Sequence, residues 1–142
     1  MILLDTSVLS RAFRRRSPGA EERRVRAVVE DLLDGEVPLG LPGIVLQEVL
    51  TGIRSDTQFA ALEERLVASF NFVSAGADDH VEAARLANRC RAAGLSASGP
   101  DCLIAALAIA GSHELFAMDD DFRAIAKHAP LKLFEPKGTR RA

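Results

Sequence analysis

The amino-acid sequence predicts an α/β domain with a mostly parallel sheet and helices on both of its faces. Short apolar runs that suit buried strands alternate with longer segments in which apolar residues recur at helical spacing. No repeat or linker divides the 142 residues, a length typical of one domain, and 48% of them are hydrophobic. We therefore expect one domain over residues 1–136, followed by a basic tail over residues 137–142.

The strands are expected in short segments rich in apolar residues, of which the first is an unbroken apolar run. These segments are 1–4, 37–41, 71–74, 114–118 and 131–134. Helices are expected where apolar residues repeat every three or four positions, at 7–13, 21–34, 42–52, 55–70, 77–93 and 100–110, with a further helix that begins near Asp120. Ser55 or Asp56 can cap the fourth helix, whose expected buried face comprises Phe59, Leu62, Leu66 and Phe70.

The charge and the aromatic content argue against two ways of binding nucleic acid. Eighteen Lys and Arg residues stand against 20 Asp and Glu residues, so a diffuse basic surface is not expected. Phe supplies all seven aromatic side chains, which gives little for a base-stacking platform of the RNA-recognition-motif or oligonucleotide-barrel type. A local basic patch beside an acidic site remains compatible with this composition.

The cysteine content and the hydropathy indicate a cytoplasmic protein. Cys90 and Cys102 are too few for a secreted disulfide scaffold, and each lies in an apolar helical run where a buried, reduced thiol is expected. Asp5 interrupts the first apolar run, so no signal peptide is recognisable. The longest uncharged stretch, 102–113, is too short to span a bilayer, and we expect no membrane association.

Acidic residues in apolar surroundings are the strongest functional signal. Asp5 ends the first expected strand, and a run of three aspartates that begins at Asp119 follows the fourth. Ligands of such sheets bind beyond the carboxyl ends of the strands, where the strand order switches, so Asp5 and Asp119 are expected at one edge. Asp101 lies in the first turn of a helix that is hydrophobic all round, and Glu48 lies among apolar helical neighbours.

Each of these acids also has a structural explanation. Asp101 alone would stabilise its helix through the dipole by about 0.3–1 kcal/mol. Glu48 alone would be a surface residue at a helix edge, and the aspartate run alone would be a helix cap. Taken together the acids favour a site, because carboxylates crowded at one sheet edge repel one another strongly unless a cation neutralises them.

The chemistry of these acids favours Mg²⁺ or Mn²⁺. The sequence has no Cys and His cluster with zinc spacing and no HExxH motif. His80, His113 and His128 share no motif and are interpreted as surface or packing residues. Hard carboxylates suit Mg²⁺ or Mn²⁺, which retain waters and bind substrate phosphates. Metal-assisted hydrolysis of phosphodiester bonds follows from such a site.

Four short segments resemble the acidic motifs of PIN-domain ribonucleases, and most closely those of bacterial toxins of the VapC type. They are MILLDTSVL at the start, EVLTGIR at Glu48, DCLIAALA from Asp101 and MDDDF from Met118. Each motif is weak alone. The four occur in order, at family-like spacing, over essentially the whole chain.

This resemblance implies a five-stranded parallel sheet and a divalent-metal endoribonuclease, usually a dimer that a small antitoxin silences. It assigns catalysis and metal binding to Asp5, Glu48, Asp101 and Asp119. The expected cofactor is Mg²⁺ or Mn²⁺. The expected partners are an RNA substrate, a cognate antitoxin and a second copy of the chain.

The same resemblance assigns supporting roles to three further residues. Thr6 and Ser7 match the hydroxyl positions after the first aspartate, where they would support the site by hydrogen bonding. Many relatives carry Thr two residues before the first aspartate of the fourth motif, where this chain has Ala117. The division of labour between Asp119 and Asp121 is therefore open. Asp121 is the auxiliary candidate, and the aspartate between them is expected to face solvent.

A basic cluster follows Asp5 and consists of Arg11, Arg14, Arg15 and Arg16. It is either a solvated loop or a contact for RNA phosphates beside the metal site. The basic residues after position 136 are interpreted as a frayed tail.

Two other functions compete with a ribonuclease. A phosphatase resembling the haloacid dehalogenase class also begins with a strand-end aspartate, but that class needs a second aspartate two residues on, where this chain has Ser7. The non-enzymatic alternative is an RNA- or protein-binding module with an idle site. The presence of all four acids speaks against it.

Overall fold

The sheet has five strands, all parallel, in a computed structural model that describes residues 1–14 and 19–137. The strands are β1 (Ile2–Leu4), β2 (Leu39–Pro42), β3 (Asn71–Val73), β4 (Glu114–Phe116) and β5 (Lys132–Leu133). The predicted parallel sheet is confirmed, although most strands are one or two residues shorter than expected. Strand β2 begins later than predicted because Val37 is exposed and Pro38 has no N–H to donate to a neighbouring strand.

The order of the strands is β3-β2-β1-β4-β5. The chain runs outward from β1 through β2 to β3, then returns to the other side of β1 and runs outward again from β4 to β5. The strand order therefore switches between β1 and β4, where Leu4 pairs with Phe116 and the Asp5 N–H donates to the Phe116 carbonyl at 3.0 Å. A ligand site is expected beyond the carboxyl ends of these two strands.

Within the described ranges the chain forms seven α-helices. They are α1 (Thr6–Leu9), α2 (Ala20–Asp34), α3 (Gly43–Leu50), α4 (Asp56–Ser69), α5 (Ala77–Ala92), α6 (Gly99–Ala110) and α7 (Asp121–Ala126). The connections run outward from β1 in both directions, and since crossovers between parallel strands are right-handed as a rule, helices lie on both faces of the sheet. Helix α1 is shorter than expected because it passes into a π-helical turn at Ser10–Arg14.

The hydrophobic core lies on β1 and α6. All three residues of β1 are buried, as expected for a parallel strand covered on both faces. Helix α6 buries every residue from Cys102 to Ala108 except Leu103, which is half-buried. The predicted buried thiols are confirmed, since Cys90 and Cys102 are both buried and unbonded. No helix in the described part of the chain combines the length and the hydropathy needed to cross a membrane.

Helix α4 departs from its predicted buried face. Leu66 and Phe70 are buried, but Leu62 is only half-buried and Phe59 is 37% exposed. Every residue from 55 to 61 is exposed, so the first turns of α4 project beyond the core that its last turns contact. Of the predicted basic tail, Lys137 is exposed, and residues 138–142 lie outside the described residues.

Candidate active site

Asp5 follows β1 directly and is 3% exposed. Its carboxylate caps α1, accepting the Ser7 N–H at 3.2 Å and the Ser7 hydroxyl at 2.6 Å, both on Oδ2. Burial raises the pKa of Asp5 above its ordinary value. The hydrogen bonds from Ser7 and from the Thr6 backbone oppose that rise, and the charge of Asp119 adds to it.

Ser7 connects the two strand ends that meet at the switch point. Its Oγ donates to Asp5 and also accepts the backbone N–H of Met118 at 2.9 Å. Met118 directly precedes Asp119, so one hydroxyl fixes the carboxylate after β1 relative to the loop after β4. The hydrogen-bonding role expected for Ser7 therefore has a specific partner on each side.

Thr6 connects the start of α1 to α3. Its hydroxyl donates to Glu48 Oε1 at 2.8 Å. Glu48 lies on the last turns of α3 and is half-buried, with Val49 and Leu50 next to it in the core. This bond holds the Glu48 carboxylate beside the residue that follows Asp5, which places Glu48 at the rim of the same site.

Asp101 lies in the first turn of α6 and is half-buried. Its backbone N–H donates to the hydroxyl of Ser98 at 3.2 Å, and this hydrogen bond caps the helix. Burial and then the charge of Asp5 raise the pKa of Asp101 to about 6. The side chain of Ser98 opposes that rise, whereas the charges of Asp121 and Asp119 add to it. The charges of three other carboxylates thus raise the pKa of Asp101.

The aspartates after β4 differ in their surroundings. Asp119 and Asp121 are exposed, and both act on Asp101, but of the two only Asp119 raises the pKa of Asp5. The Asp120 carboxylate lies 3.7 Å from the Arg123 guanidinium, with its side chain 76% exposed. Asp120 therefore faces solvent, as expected from the sequence, while the charge of Asp121 contributes to the raised pKa of Asp101.

The donor set fits a hard divalent cation, because it consists of carboxylate and hydroxyl oxygens and the carboxylates repel one another. Within residues 1–14 and 19–137, however, no three Asp, Glu, His or Cys side chains form a ready metal-binding group. Asp119 and Asp121 are exposed and free of core packing, so their rotamers can change. A cation here would be bound by turning these side chains towards the buried Asp5.

A sequence model of the PIN domain matches residues 2–128, which include every acid described above. The chain belongs to the PIN domain family. Comparison with curated proteins gave no match.

Solved structures share the fold of this PIN domain over almost its whole length. The FitAcB structure from Neisseria gonorrhoeae aligns with a TM-score of 0.75 at 24% identity, covering 97% of this chain and 99% of that one. VapBC2 from Rickettsia felis, bound to a promoter DNA fragment, gives a TM-score of 0.72 at 18% identity, with 94% and 98% covered. VapC20 from Mycobacterium tuberculosis, described as a toxin that cleaves the sarcin–ricin loop, gives 0.71 at 20% identity, with 93% and 99% covered.

The two described residues of the basic cluster, Arg11 and Arg14, have different surroundings. Arg11 donates to the Ser7 carbonyl at 2.8 Å and lies 3.5 Å from Glu21, so it supports α1 and its packing against α2. Arg14 is exposed, whereas Arg15 and Arg16 lie outside the described residues. The histidines are surface or packing residues as expected: His80 and His128 are exposed, and His113 Nδ1 lies 3.2 Å from the Met1 amine.

Sequence reasoning missed Ser98, which both caps α6 and lowers the pKa of Asp101. The signal was available, because Ser98 stands three residues before Asp101 and Pro100 lies between them, the pattern of a capped helix start. The backbone N–H of Met118 was also missed. No residue type identifies such a group, which becomes visible only when β1 and β4 are adjacent.

Proposed function

We propose that this PIN domain is a divalent-metal-dependent endoribonuclease that hydrolyses phosphodiester bonds where β1 and β4 end. The observation that carries the proposal is the mutual charge of Asp5, Asp101 and Asp119 at the switch point of a parallel sheet. Like charges crowded beside a buried core are costly to hold together without a counterion. The membership of the PIN family and the order of the four acidic segments support the same function.

Asp5, Glu48, Asp101 and Asp119 would hold the ion, with Asp121 as an auxiliary. A bound Mg²⁺ or Mn²⁺ supplies an activated water and neutralises charge on the scissile phosphate. Within the chain, Ser7 orients Asp5 and Thr6 orients Glu48. These hydrogen bonds fix two carboxylates from different elements, and the exposed aspartates supply the adjustable side of the site.

We further propose that the protein is the toxin of a toxin–antitoxin pair, located in the cytoplasm and acting as a homodimer. The support is the fold shared with FitAcB, VapBC2 and VapC20 over nearly the full length of each chain. A small antitoxin would cover the acidic site. Helix α4 carries exposed apolar side chains, Phe59 and Val67, that suit a protein interface. A strict monomer in light scattering at micromolar concentration would contradict the homodimer.

The function is tested by sequencing RNA 5′ ends after brief expression of the wild type and of Asp5→Ala. Purified protein should cleave RNA in Mg²⁺ or Mn²⁺ and leave 5′-phosphate and 3′-hydroxyl ends, and EDTA should abolish cleavage. Cleavage that persists in EDTA, or that Asp5→Ala retains, would refute the mechanism. A phosphate analogue trapped covalently on Asp5 would instead support a phosphatase. Failure to bind Mg²⁺ or Mn²⁺ in titrations would support an idle binding module.

A further inference from the structure

A groove of about 710 Å³ lies between the π-helical turn, the loop after α3 and helix α4 as far as Arg65. Three arginines line it, one from each of these elements: Arg14, Arg54 and Arg65. Among the described residues, the rest of its lining is apolar or neutral and includes no acidic side chain. The groove is therefore a concentrated positive site on a chain whose net charge is −2.

The described part of the chain gives none of the groove arginines an acidic partner within salt-bridge distance. The Arg65 guanidinium lies 4.6 Å from the centre of the Phe13 ring, a cation–π contact that positions it without neutralising it. Ser55, the cap of the 14-residue helix α4, also lines the groove, so the positive end of that helix dipole adds to its potential.

The groove and the acidic site are built on the same two segments. The π-helical turn continues α1, which begins at Asp5, and the loop with Arg54 follows α3, which carries Glu48. The Thr6–Glu48 hydrogen bond joins these segments at the acidic end. Arg14 lies eight positions after Thr6, no more than about 12 Å along the helical segment, so a polymer of a few nucleotides can span both sites. At the turn after α3, Gly52 has a φ of 90°, a left-handed conformation that favours glycine.

We propose that this groove binds the sugar–phosphate backbone of RNA on one side of the cleavage point. The proposal rests on the proposed ribonuclease function. Guanidinium groups bind phosphate through paired hydrogen bonds, and three of them on separate elements match successive phosphates better than one compact anion. The apolar floor, which includes Ile53 and Leu62, gives ribose and base a surface to pack on. A phosphodiester substrate also needs to extend past the acids, whose own charge repels it.

The test measures binding rather than cleavage, so that it does not depend on catalysis. The probe is a fluorescein-labelled, 12-nucleotide single-stranded RNA of mixed sequence, titrated in EDTA over a series of salt concentrations. The variant is Arg14→Gln with Arg54→Gln, which leaves the Arg65–Phe13 contact intact. The control is Arg91→Gln, an exposed arginine of α5 that does not line the groove. Thermal melts establish that all three proteins fold equally well.

The double variant should bind the RNA about tenfold more weakly at 50 mM salt. Its affinity should also depend less on salt: the negative slope of log K against log salt should become smaller in magnitude by about 1.4, roughly 0.7 for each phosphate that is no longer neutralised. Arg91→Gln should match the wild type. An unchanged affinity and slope in the double variant would overturn the groove, even if the wild type cleaves RNA in Mg²⁺. Weaker binding by the double variant would support the groove even if no cleavage is found. A glutamate-rich peptide is titrated in parallel. If the double variant loses binding to this peptide but binds RNA like the wild type, the groove is a protein-docking site and the proposal is refuted.

Discussion

The hydroxyl of Ser7 donates to Asp5 Oδ2 at 2.6 Å, and the hydroxyl oxygen also accepts the backbone N–H of Met118, the residue before Asp119. Residues 111 positions apart in the chain are thereby joined at the switch point of the sheet. A carboxylate that is buried and surrounded by other carboxylates tends to take up a proton or turn away. The short hydrogen bond from Ser7 favours the charged form of Asp5 and keeps it in place.

Replacing Ser7 with Ala should therefore lower the free energy of unfolding by about 1–3 kcal/mol, because the Met118 N–H and the buried Asp5 carboxylate both lose a partner. Urea unfolding in EDTA measures this. The matched control is Thr51→Ala, which removes an exposed hydroxyl that donates to the Gln47 carbonyl of the preceding helix α3 and should cost less than about 0.5 kcal/mol. Equal costs for the two variants would mean that Ser7 does not organise the site.

Asp101→Asn distinguishes a functional carboxylate from a helix-end residue. If Asp101 only favoured the α6 dipole, its loss would cost up to about 1 kcal/mol with or without metal. Because Asp101 faces the charges of Asp5, Asp119 and Asp121, the variant in EDTA should be at least as stable as the wild type.

In Mg²⁺ the order should reverse. A hundredfold excess of Mg²⁺ over its Kd should stabilise the wild type by about 2.7 kcal/mol, and Asp101→Asn should lose most of this gain together with RNA cleavage. Thermal melts of both proteins in EDTA and in Mg²⁺ provide the measurement. If the variant is destabilised equally in both buffers and still cleaves RNA, Asp101 has only a structural role at the start of α6.

The sequence was sufficient for the parallel sheet and for the meeting of Asp5 with Asp119, because both depend on short-range pattern and on a topological rule. Apolar runs followed by aspartate mark β1 and β4, and the parallel pairing of these two strands brings their carboxyl ends together. The buried face predicted for α4 was wrong at its first turns, because periodicity identifies an apolar face but not whether a neighbouring element packs against it. Phe59 stays partly exposed for that reason.

The arginine groove could not be predicted from the sequence. Arg14, Arg54 and Arg65 are far apart in the chain and share no motif, and they converge only because α1 and α3 lie side by side. The sequence instead drew attention to the run that begins at Arg11, where consecutive charges are conspicuous. Of the described residues of that run, Arg11 donates to the Ser7 carbonyl and Arg14 lines the groove, so the two have different surroundings.

The aspartates after β4 should differ sharply in their effect on activity. Asp119→Asn should reduce metal-dependent RNA cleavage by at least about a hundredfold, because it removes a carboxylate coupled to both Asp5 and Asp101. Asp120→Asn should leave cleavage unchanged and alter stability by less than about 0.5 kcal/mol, since the Asp120 side chain is 76% exposed and its ion pair with Arg123 is at the surface. Initial rates on one RNA in Mg²⁺ compare them. Equal loss in the two variants would place Asp120 in the site.

The stability of the metal-free protein should fall as pH rises through the titration of Asp101. The pKa of this carboxyl is about 6 in the folded chain against an ordinary value of 3.8, so between these values the native state binds more protons than the unfolded state. Raising the pH then favours unfolding, and the penalty is complete above pH 6. Asp101→Asn lacks this group, so its melting temperature relative to the wild type should increase from pH 4.5 to pH 7 in EDTA and then level off.

The stabilisation by Mg²⁺ should also depend on pH. Mg²⁺ requires the deprotonated carboxylate, so the wild type should gain more stability from Mg²⁺ at pH 7.5 than at pH 5.5. Parallel melts of both proteins across this range test the prediction, and a difference that does not change with pH would show that Asp101 titrates as an isolated surface acid.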